Sequence, residues 1–167
     1  MKRSELEHII RAAGIISRED RIVIIGSQSI LGQFPNAPVL LSRSMEADLY
    51  PLNHPERAEE VDGAMGEGSA FHEEFGYYAQ AVSPETALLP DGWQSRLVSV
   101  SNSNTGGITG LCLEVHDLAI SKYAAGREKD REFTRVLAKH EMTSKSILMQ
   151  RLDETRTTAE LRKLIAT

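Results

Sequence analysis

The chain has 167 residues, of which 41% are hydrophobic and 26% are charged, so it can form one globular domain with a modest core. Its net charge of -5 argues against a general nucleic-acid-binding protein; it has neither an apolar run of membrane-helix length nor a signal-peptide pattern at its N-terminus. Cys112 is the only cysteine, which excludes an intrachain disulfide and a cysteine-based metal cluster within one chain and favours the reducing cytoplasm.

The first elements of the chain are predicted to be a helix and a buried strand. The segment SELEHIIRAAG favours a helix, with Ser4 and Glu7 at capping-box spacing and Gly14 as the C-cap. The β-branched run Ile22–Ile25 is typical of a strand that is buried on both faces. One or two helical turns are expected to follow it.

The turn IIGSQS after this strand is a candidate phosphate site. Gly26 allows a ligand to approach the backbone, the following helical turn offers free N–H groups, and Ser27 and Ser29 add hydroxyl donors. The alternative is a tight turn that is capped by serine. The glycine patterns of a dinucleotide fold and of a P-loop are both missing from the sequence.

The stretch SRSMEADLYP predicts a strand with two acids on its open face. Acids are depleted in strands, so the presence of Glu46 and Asp48 in this one calls for an explanation. Residues two apart on a strand lie roughly 6.5 to 7 Å apart and point the same way, so these carboxylates repel unless a cation lies between them. We therefore expect a Mg²⁺ site, with a solvated edge strand as the alternative. The other face, expected in the core, carries Met45, Ala47 and Leu49.

Downstream of Pro51 we expect a helix from near Pro55, then strands, and from His116 onward only helices. The predicted fold class is α/β (α+β), with a small mixed sheet flanked by helices. We expect a single domain, with an α/β core over about residues 1–115 and a helical part over about 116–167 packed on it. The strand segments are YYAQAV, SRLVSVS and ITGLCLEV, the last two as a hairpin, and the helical segments are HDLAISKYAAG, EKDREFTRVLAKH, SKSILMQRL and TTAELRKLIA.

Basic residues around the end of the first of these helices are candidate phosphate ligands. Lys122 shares a helical stripe with Leu118, so it is expected to face inward, where it could reach a phosphate or extend to water. The helix is expected to end at Gly126. Beyond it, Arg127 could contact a phosphate and Asp130 could face a metal centre; the alternative is ordinary exposed helix charge.

The order of these motifs resembles the nucleotidyltransferase superfamily with the polymerase-beta-like fold. Within it, the chain is most similar to bacterial and archaeal proteins related to abortive-infection toxins of toxin–antitoxin systems. Segments 66–78 and 83–93 also resemble an uncharacterised branch of this group, and the resemblance covers roughly residues 20 to 140. The matching residues are Gly26 and Ser27, Glu46 and Asp48, Lys122, Ala125 and Arg127, and Lys129 and Asp130.

The resemblance implies a Mg²⁺- or Mn²⁺-dependent transfer of a nucleoside monophosphate from an NTP to an acceptor hydroxyl. The acceptor would be an RNA 3′ end, such as that of tRNA, or a protein, and a cognate antitoxin would be a partner. Candidates for a third carboxylate are Glu114, Asp117 and Asp130, of which Asp130 fits this branch best. The implied roles are metal binding by Glu46 and Asp48, nucleotide binding by Gly26, Ser27, Ser29 and Arg127, and catalysis by Glu46, Asp48, Lys122 and Asp130.

Three alternatives stay open at this point. The chain could be a catalytically degenerate member of the same fold that binds a nucleotide or a protein. Its C-terminal helices, where Lys and Arg outnumber Asp and Glu by 10 to 7 from Arg127 onward, could dock an antitoxin or a second copy. His72 could line the nucleotide or acceptor pocket or be structural. The nucleotide, the acceptor and the oligomeric state are left open.

Overall fold

The computed structural model describes residues 1–166, which contain a five-stranded mixed sheet flanked by helices. The strands are β1 (Arg21–Ile25), β2 (Glu46–Pro51), β3 (Tyr78–Ala81), β4 (Val98–Val100) and β5 (Thr109–Cys112). Their order across the sheet is β3-β2-β1-β5-β4. Central β1 is antiparallel to β2 and parallel to β5, β2 is parallel to β3, and β4 and β5 form the predicted antiparallel hairpin. The predicted fold class is confirmed.

The helices pack around this sheet. They are α1 (Arg3–Ser17), α2 (Ile30–Gln33), α3 (Ala58–Met65), α4 (Ala70–Phe75), α5 (Val115–Ala125), α6 (Glu128–Lys139), α7 (Lys145–Asp153) and α8 (Ala159–Ala166). α1 packs against α3, β1 and β2, while α5 packs against α2, α6, α7 and α8. Over residues 1–166, no helix combines the length and the apolar character that crossing a membrane requires.

The first helix is longer than predicted. It continues through Gly14 and ends at Ser17, where Arg18 adopts the left-handed conformation. A Cβ at Gly14 would lie 2.6 Å from the side chain of Ile108. Gly14 therefore lies inside the last turn of the helix, where it allows close packing against Ile108, and is not the C-cap that the sequence pattern indicated.

Glu7 does not form the capping box that its spacing from Ser4 predicted. Its buried carboxylate accepts hydrogen bonds from the side chains of Asn102 and Asn104 and pairs with Arg3 at 3.2 Å. Burial alone would raise the pKa of Glu7, but these donors outweigh it and lower the pKa. Glu7 therefore anchors the loop before β5 to the first helix.

The second strand has the two faces that its alternating sequence predicts. Ala47 and Leu49 are fully buried in the core, and Glu46 and Asp48 lie on the opposite face. Met45 was expected in the core but is 43% exposed, because the strand begins only at Glu46 and Met45 lies at its rim.

The C-terminal part is helical, as predicted, and Gly126 caps α5 in the left-handed conformation with φ 65°. α4 was not predicted from the sequence; its N-cap Ser69 accepts a hydrogen bond from the backbone N–H of His72 at 3.1 Å. With six residues, this helix is too short for its periodicity to stand out.

Candidate active site

The pairing of β1 with β2 brings the glycine turn and the acid pair together. Asp48 pairs with Ile25, the last residue of β1, so its carboxylate lies directly beside Gly26. Gly26 has φ 78° and ψ −176°, a conformation that is essentially restricted to glycine. A Cβ at this position would lie 2.4 Å from Oδ2 of Asp48. Both the backbone and the close approach of the acid therefore require glycine here.

Two donors from β3 hold Glu46. The parallel register of β2 and β3 places Tyr78 opposite Glu46 and Gln80 opposite Asp48. The Tyr78 hydroxyl donates to Oε2 of Glu46 at 2.9 Å. In the amide orientation that satisfies both groups, the Gln80 nitrogen donates to Oε1 at 2.8 Å and to Oε2 at 3.1 Å. Burial and the contact with Glu46 raise the pKa of Tyr78 to about 12, so it remains a donor at neutral pH.

The Asp48 carboxylate is in an environment that disfavours its charge. Burial, together with the hydrogen bond and the charge of Glu46, raises the pKa of Asp48 to about 7, while Lys122 and Lys129 act in the opposite direction. Its Oδ1 is buried and has no hydrogen-bond partner among the described residues. A divalent cation would relieve both the repulsion and the missing contact, so the pair has the donor set that such an ion needs.

Three charged groups from the end of α5 and the start of α6 line the same cleft as this pair. Lys122, whose side chain is 12% exposed, lies 3.5 Å from Oδ1 of Asp130, and Arg127 Nε donates to Oδ2 of Asp130 at 2.7 Å. Burial lowers the pKa of Lys122, and the Asp130 carboxylate opposes this shift. Burial would raise the pKa of Asp130, but the hydrogen bond from Arg127 and the charge of Lys122 outweigh it and lower the pKa.

Asp130 was expected to be a third acid at the metal, but the structure places it in ion pairs with Lys122 and Arg127. It is 1% exposed, and both of its oxygens are engaged by the two basic side chains. In the part of the chain that the structure describes, no group of three or more His, Cys, Asp or Glu side chains could hold a metal ion. Asp130 holds Lys122 and Arg127 in place instead of joining Glu46 and Asp48.

The other two candidates for a third carboxylate lie in a separate network. Asp117 is fully buried and pairs with Arg96 at 2.8 Å and with Arg151 at 3.1 Å. Glu114 pairs with Arg151 at 2.6 Å and contacts His116 at 2.6 Å. These contacts join α5 to α7 and to the segment before β4, so both acids serve the helical packing rather than the acid pair.

Two neighbouring clefts lie beside the acid pair. The first, here called the main cleft, has a volume of about 370 Å³, and the second cleft has a volume of about 320 Å³. Asp48, Lys122 and Arg127 line both of them. The main cleft is further lined by Ser27, Gln28, Leu40, Leu41, Arg43, Ser44, Glu46, Lys129, Asp130, Glu132 and Phe133. The second cleft is further lined by Ile25, Gly26, Thr86, Ala87, Leu88, Ser121, Ala124, Ala125 and Leu161.

The predicted phosphate turn is only partly at the cleft surface. Ser27 lines the main cleft and Gly26 lines the second cleft. Ser29 was expected to bind the nucleotide, but it is fully buried and its hydroxyl donates to the carbonyl of Gly26 at 2.7 Å. Ser29 therefore stabilises the turn and does not reach either cleft.

Tyr78 and Gln80 were not predicted as site residues from the sequence, and the role of His72 was left open. Tyr78 and Gln80 share a face of β3, and the alternation in YYAQAV was the available signal for them. His72 takes a supporting position: its ring lies 4.5 Å from the ring of Tyr78, and its Nδ1 accepts from the backbone N–H of Gly68 at 3.0 Å. It lines neither cleft.

A family model matches residues 4–163 and describes a nucleotidyltransferase of unknown function (DUF6036). No curated protein and no solved structure gives a significant match to the chain. The family match spans nearly the whole chain, including the glycine turn, the acid pair and the basic residues around Gly126. The chain belongs to this family of nucleotidyltransferases of unknown function.

Proposed function

We propose that the protein transfers a nucleoside monophosphate from an NTP to an acceptor hydroxyl, with Mg²⁺ or Mn²⁺ held by Glu46 and Asp48. The observation that carries the proposal is the convergence of an acid pair and basic side chains on one cleft, where Oδ1 of Asp48 is buried without a partner. Family membership supports the reaction class.

The acid pair fits a divalent ion. Mg²⁺ in proteins is commonly bound by one or two carboxylates plus substrate phosphates, so a third acid is not required. Tyr78 and Gln80 would orient Glu46 toward such an ion, as hydrogen-bond partners of metal ligands do. When bound, the ion would neutralise charge on the phosphates and polarise the reacting phosphoryl group.

The basic side chains of the main cleft suit a triphosphate. Asp130 pairs with the largely buried Lys122 and with the exposed Arg127. Arg43 and Lys129 add two further exposed charges to the lining. Arginine can contact phosphate oxygens through two N–H groups, and lysine acts as a point charge. These groups would hold the β- and γ-phosphates and stabilise the pyrophosphate as it leaves.

The second cleft supplies a site for the acceptor. It opens beside Asp48, Lys122 and Arg127, so a hydroxyl there would approach the same phosphate from another side. In the proposed reaction the hydroxyl oxygen forms a bond to the α-phosphorus, and the bond from this phosphorus to the oxygen bridging to the β-phosphate breaks. Pyrophosphate leaves with that oxygen, and the hydroxyl proton is released to solvent. An RNA 3′ end, such as that of tRNA, and a protein hydroxyl are the proposed acceptors.

Transfer of labelled nucleotide tests this proposal. Each of the four α-labelled NTPs is incubated with the protein, Mg²⁺ or Mn²⁺, and either total RNA or a protein extract. We expect one nucleotide to label one acceptor class, and Asp48→Asn to reduce the label by about 100-fold or more. Asp91→Asn, in an exposed loop outside both clefts, is the matched control and should not change it. Transfer that persists in Asp48→Asn, or no transfer with any NTP, would contradict the proposal.

A more specific proposal is that the protein is the toxin of a toxin–antitoxin system. Its support is the resemblance to toxin-like nucleotidyltransferases, and the basic C-terminal helices offer a surface for an antitoxin. Induction in a bacterial host should arrest growth with the wild-type chain and not with Asp48→Asn. Equal growth of both strains would contradict a toxin role without affecting the transfer reaction.

A non-catalytic nucleotide-binding role is the second candidate. It is favoured by the lack of a third acid beside Glu46 and Asp48 among the described residues, where Asp130 is paired with Lys122 and Arg127 instead. Calorimetric titration with the four NTPs separates the two candidates. A non-catalytic member should bind without divalent metal and retain binding in Glu46→Gln, whereas the transferase should need both the metal and Glu46.

A further inference from the structure

Gln28 is part of the lining of the main cleft, and its amide oxygen accepts no hydrogen bond from the described residues. Its side chain is 1% exposed, and its nitrogen donates to the carbonyl of Leu41 at 3.2 Å and to the Ser27 hydroxyl at 3.1 Å. Its Oε1 is buried without a partner. Over residues 1–166, the only other buried side-chain oxygen or nitrogen without a partner is Oδ1 of Asp48, which belongs to the same cleft.

The orientation of the Gln28 amide is fixed by its neighbours. The Leu41 carbonyl can only accept a hydrogen bond, so the group that faces it must be the NH₂. Reversing the amide would remove this bond and leave two carbonyl oxygens in contact. Oε1 therefore stays available as an acceptor, and a buried unpaired acceptor is a group that needs an explanation in a native structure.

The position of Gln28 favours the nucleoside end of a ligand. Its bond to the Leu41 carbonyl places the amide beside the segment that contributes the apolar residues Leu40 and Leu41 to the lining of the cleft. Phosphate oxygens are acceptors at neutral pH and cannot donate to Oε1. Ribose hydroxyls and the N–H groups of a base can do so.

We infer that Oε1 of Gln28 accepts a hydrogen bond from an O–H or N–H group on the nucleoside of the bound NTP, and that Gln28 thereby selects the nucleotide. This inference rests on the proposed function, because it needs an NTP in the main cleft. A site that is built to receive a donor discriminates strongly against an analogue without it.

Binding of nucleotide analogues to wild type and Gln28→Met tests the inference. The best-binding NTP is compared by calorimetry with its 2′-deoxy form, its 3′-deoxy form and a form whose base donor is methylated. We expect one of these changes to weaken binding to the wild type by about 10-fold, and to have no effect on binding to Gln28→Met. Which analogue responds separates a ribose hydroxyl from a base N–H group.

Two further variants separate recognition from structure. Gln28→Asn withdraws the amide by one methylene and should, like Gln28→Met, lose the wild-type preference among the analogues, so it replaces Gln28→Met if that variant is too unstable to study. Gln33→Met is the matched control, because the Gln33 side chain accepts from the backbone N–H of Val115 at 2.9 Å and lines neither cleft. This control should keep the wild-type preference.

Inorganic triphosphate distinguishes the failure of the inference from the failure of the proposed function. It should bind wild type and Gln28→Met equally, because it has no nucleoside. If it binds and no analogue weakens binding to the wild type, or if Gln28→Met keeps the full preference, the role of Gln28 is overturned. If neither triphosphate nor any NTP binds, the proposed function fails and the inference fails with it.

Discussion

The hydroxyl of Tyr78 donates a hydrogen bond to Oε2 of Glu46 at 2.9 Å, across the parallel pair of β2 and β3. This contact, together with Gln80, fixes the first acid of the pair from the sheet itself. Asp48 is fixed from the other side, where it lies against Gly26. The acid pair is therefore positioned by β3 on one side and by the turn that follows β1 on the other.

Loss of the Tyr78 hydroxyl should affect the acid pair more than the fold. In Tyr78→Phe the ring is retained, but Glu46 loses one of its orienting donors. We expect the affinity for Mn²⁺ in the presence of NTP to fall by about 10-fold or more. Tyr77→Phe removes a hydroxyl that contacts His8 at 2.6 Å, away from both clefts, and should leave this affinity unchanged. Equal effects of the two variants would assign Tyr78 a purely structural role.

Gly26 should not tolerate a side chain. Gly26→Ala forces a non-glycine residue into the restricted conformation, which costs about 1–3 kcal/mol, and its Cβ displaces the Asp48 carboxylate. Urea unfolding should show the loss of stability, and calorimetry should show the loss of metal-dependent nucleotide binding. Gly68→Ala also has positive φ, at 82°, but nothing lies within 4 Å of its Cβ, so it should lose stability and keep nucleotide binding. Nucleotide binding that survives in Gly26→Ala would contradict the proposed site.

Substitution of Asp130 tests whether it supports the basic side chains or binds the metal. In Asp130→Asn the largely buried Lys122 and the exposed Arg127 lose their partner charge, so we expect stability to fall by about 1–3 kcal/mol and NTP affinity to decrease. Because Asp130 lies outside the acid pair, binding of Mn²⁺ at saturating NTP should be nearly unchanged. Loss of Mn²⁺ binding equal to that of Asp48→Asn would show that Asp130 is a metal ligand after all.

The lowered pKa of Glu7 predicts an acid-sensitive anchor between α1 and the loop before β5. A depressed pKa gives stability that is present above the pKa of glutamate in the unfolded chain, about 4.3, and is lost as the pH falls through the folded value. Glu7→Gln should therefore be less stable than wild type at pH 7, by about 1–2 kcal/mol, and the difference should shrink below about pH 4. Urea unfolding at several pH values measures this, with the exposed Glu59→Gln as the control. A difference that does not depend on pH would contradict the assignment.

The parts of the site that could be predicted from the sequence are those set by local pattern. The spacing of Glu46 and Asp48 on a strand puts both on one face, and the helical stripe of Lys122 makes it face inward. Gly26 follows a buried β-branched run, which marks a turn at a strand end. None of these inferences needs to know which strands are neighbours.

The remaining features depend on contacts between distant segments. The donors to Glu46 are set by the register of β2 with β3, and alternation within YYAQAV does not reveal that register. The sequence does not distinguish Asp117 and Asp130 from an acid that is free to bind a metal. Only the structure shows that Asp117 is paired with Arg151 and Asp130 with Arg127. The unpartnered oxygen of Gln28 depends on the fold of the loop that carries Leu41.

Binding of Mn²⁺ in the presence of a non-hydrolysable NTP analogue, followed by electron paramagnetic resonance, tests the central claim most directly. The account predicts that wild type binds Mn²⁺ together with the nucleotide. It predicts that Glu46→Gln and Asp48→Asn each weaken this binding by about 10-fold or more, and that Asp91→Asn does not. Mn²⁺ binding that is equally tight in wild type and in both acid-pair variants, or is absent from wild type, would contradict it.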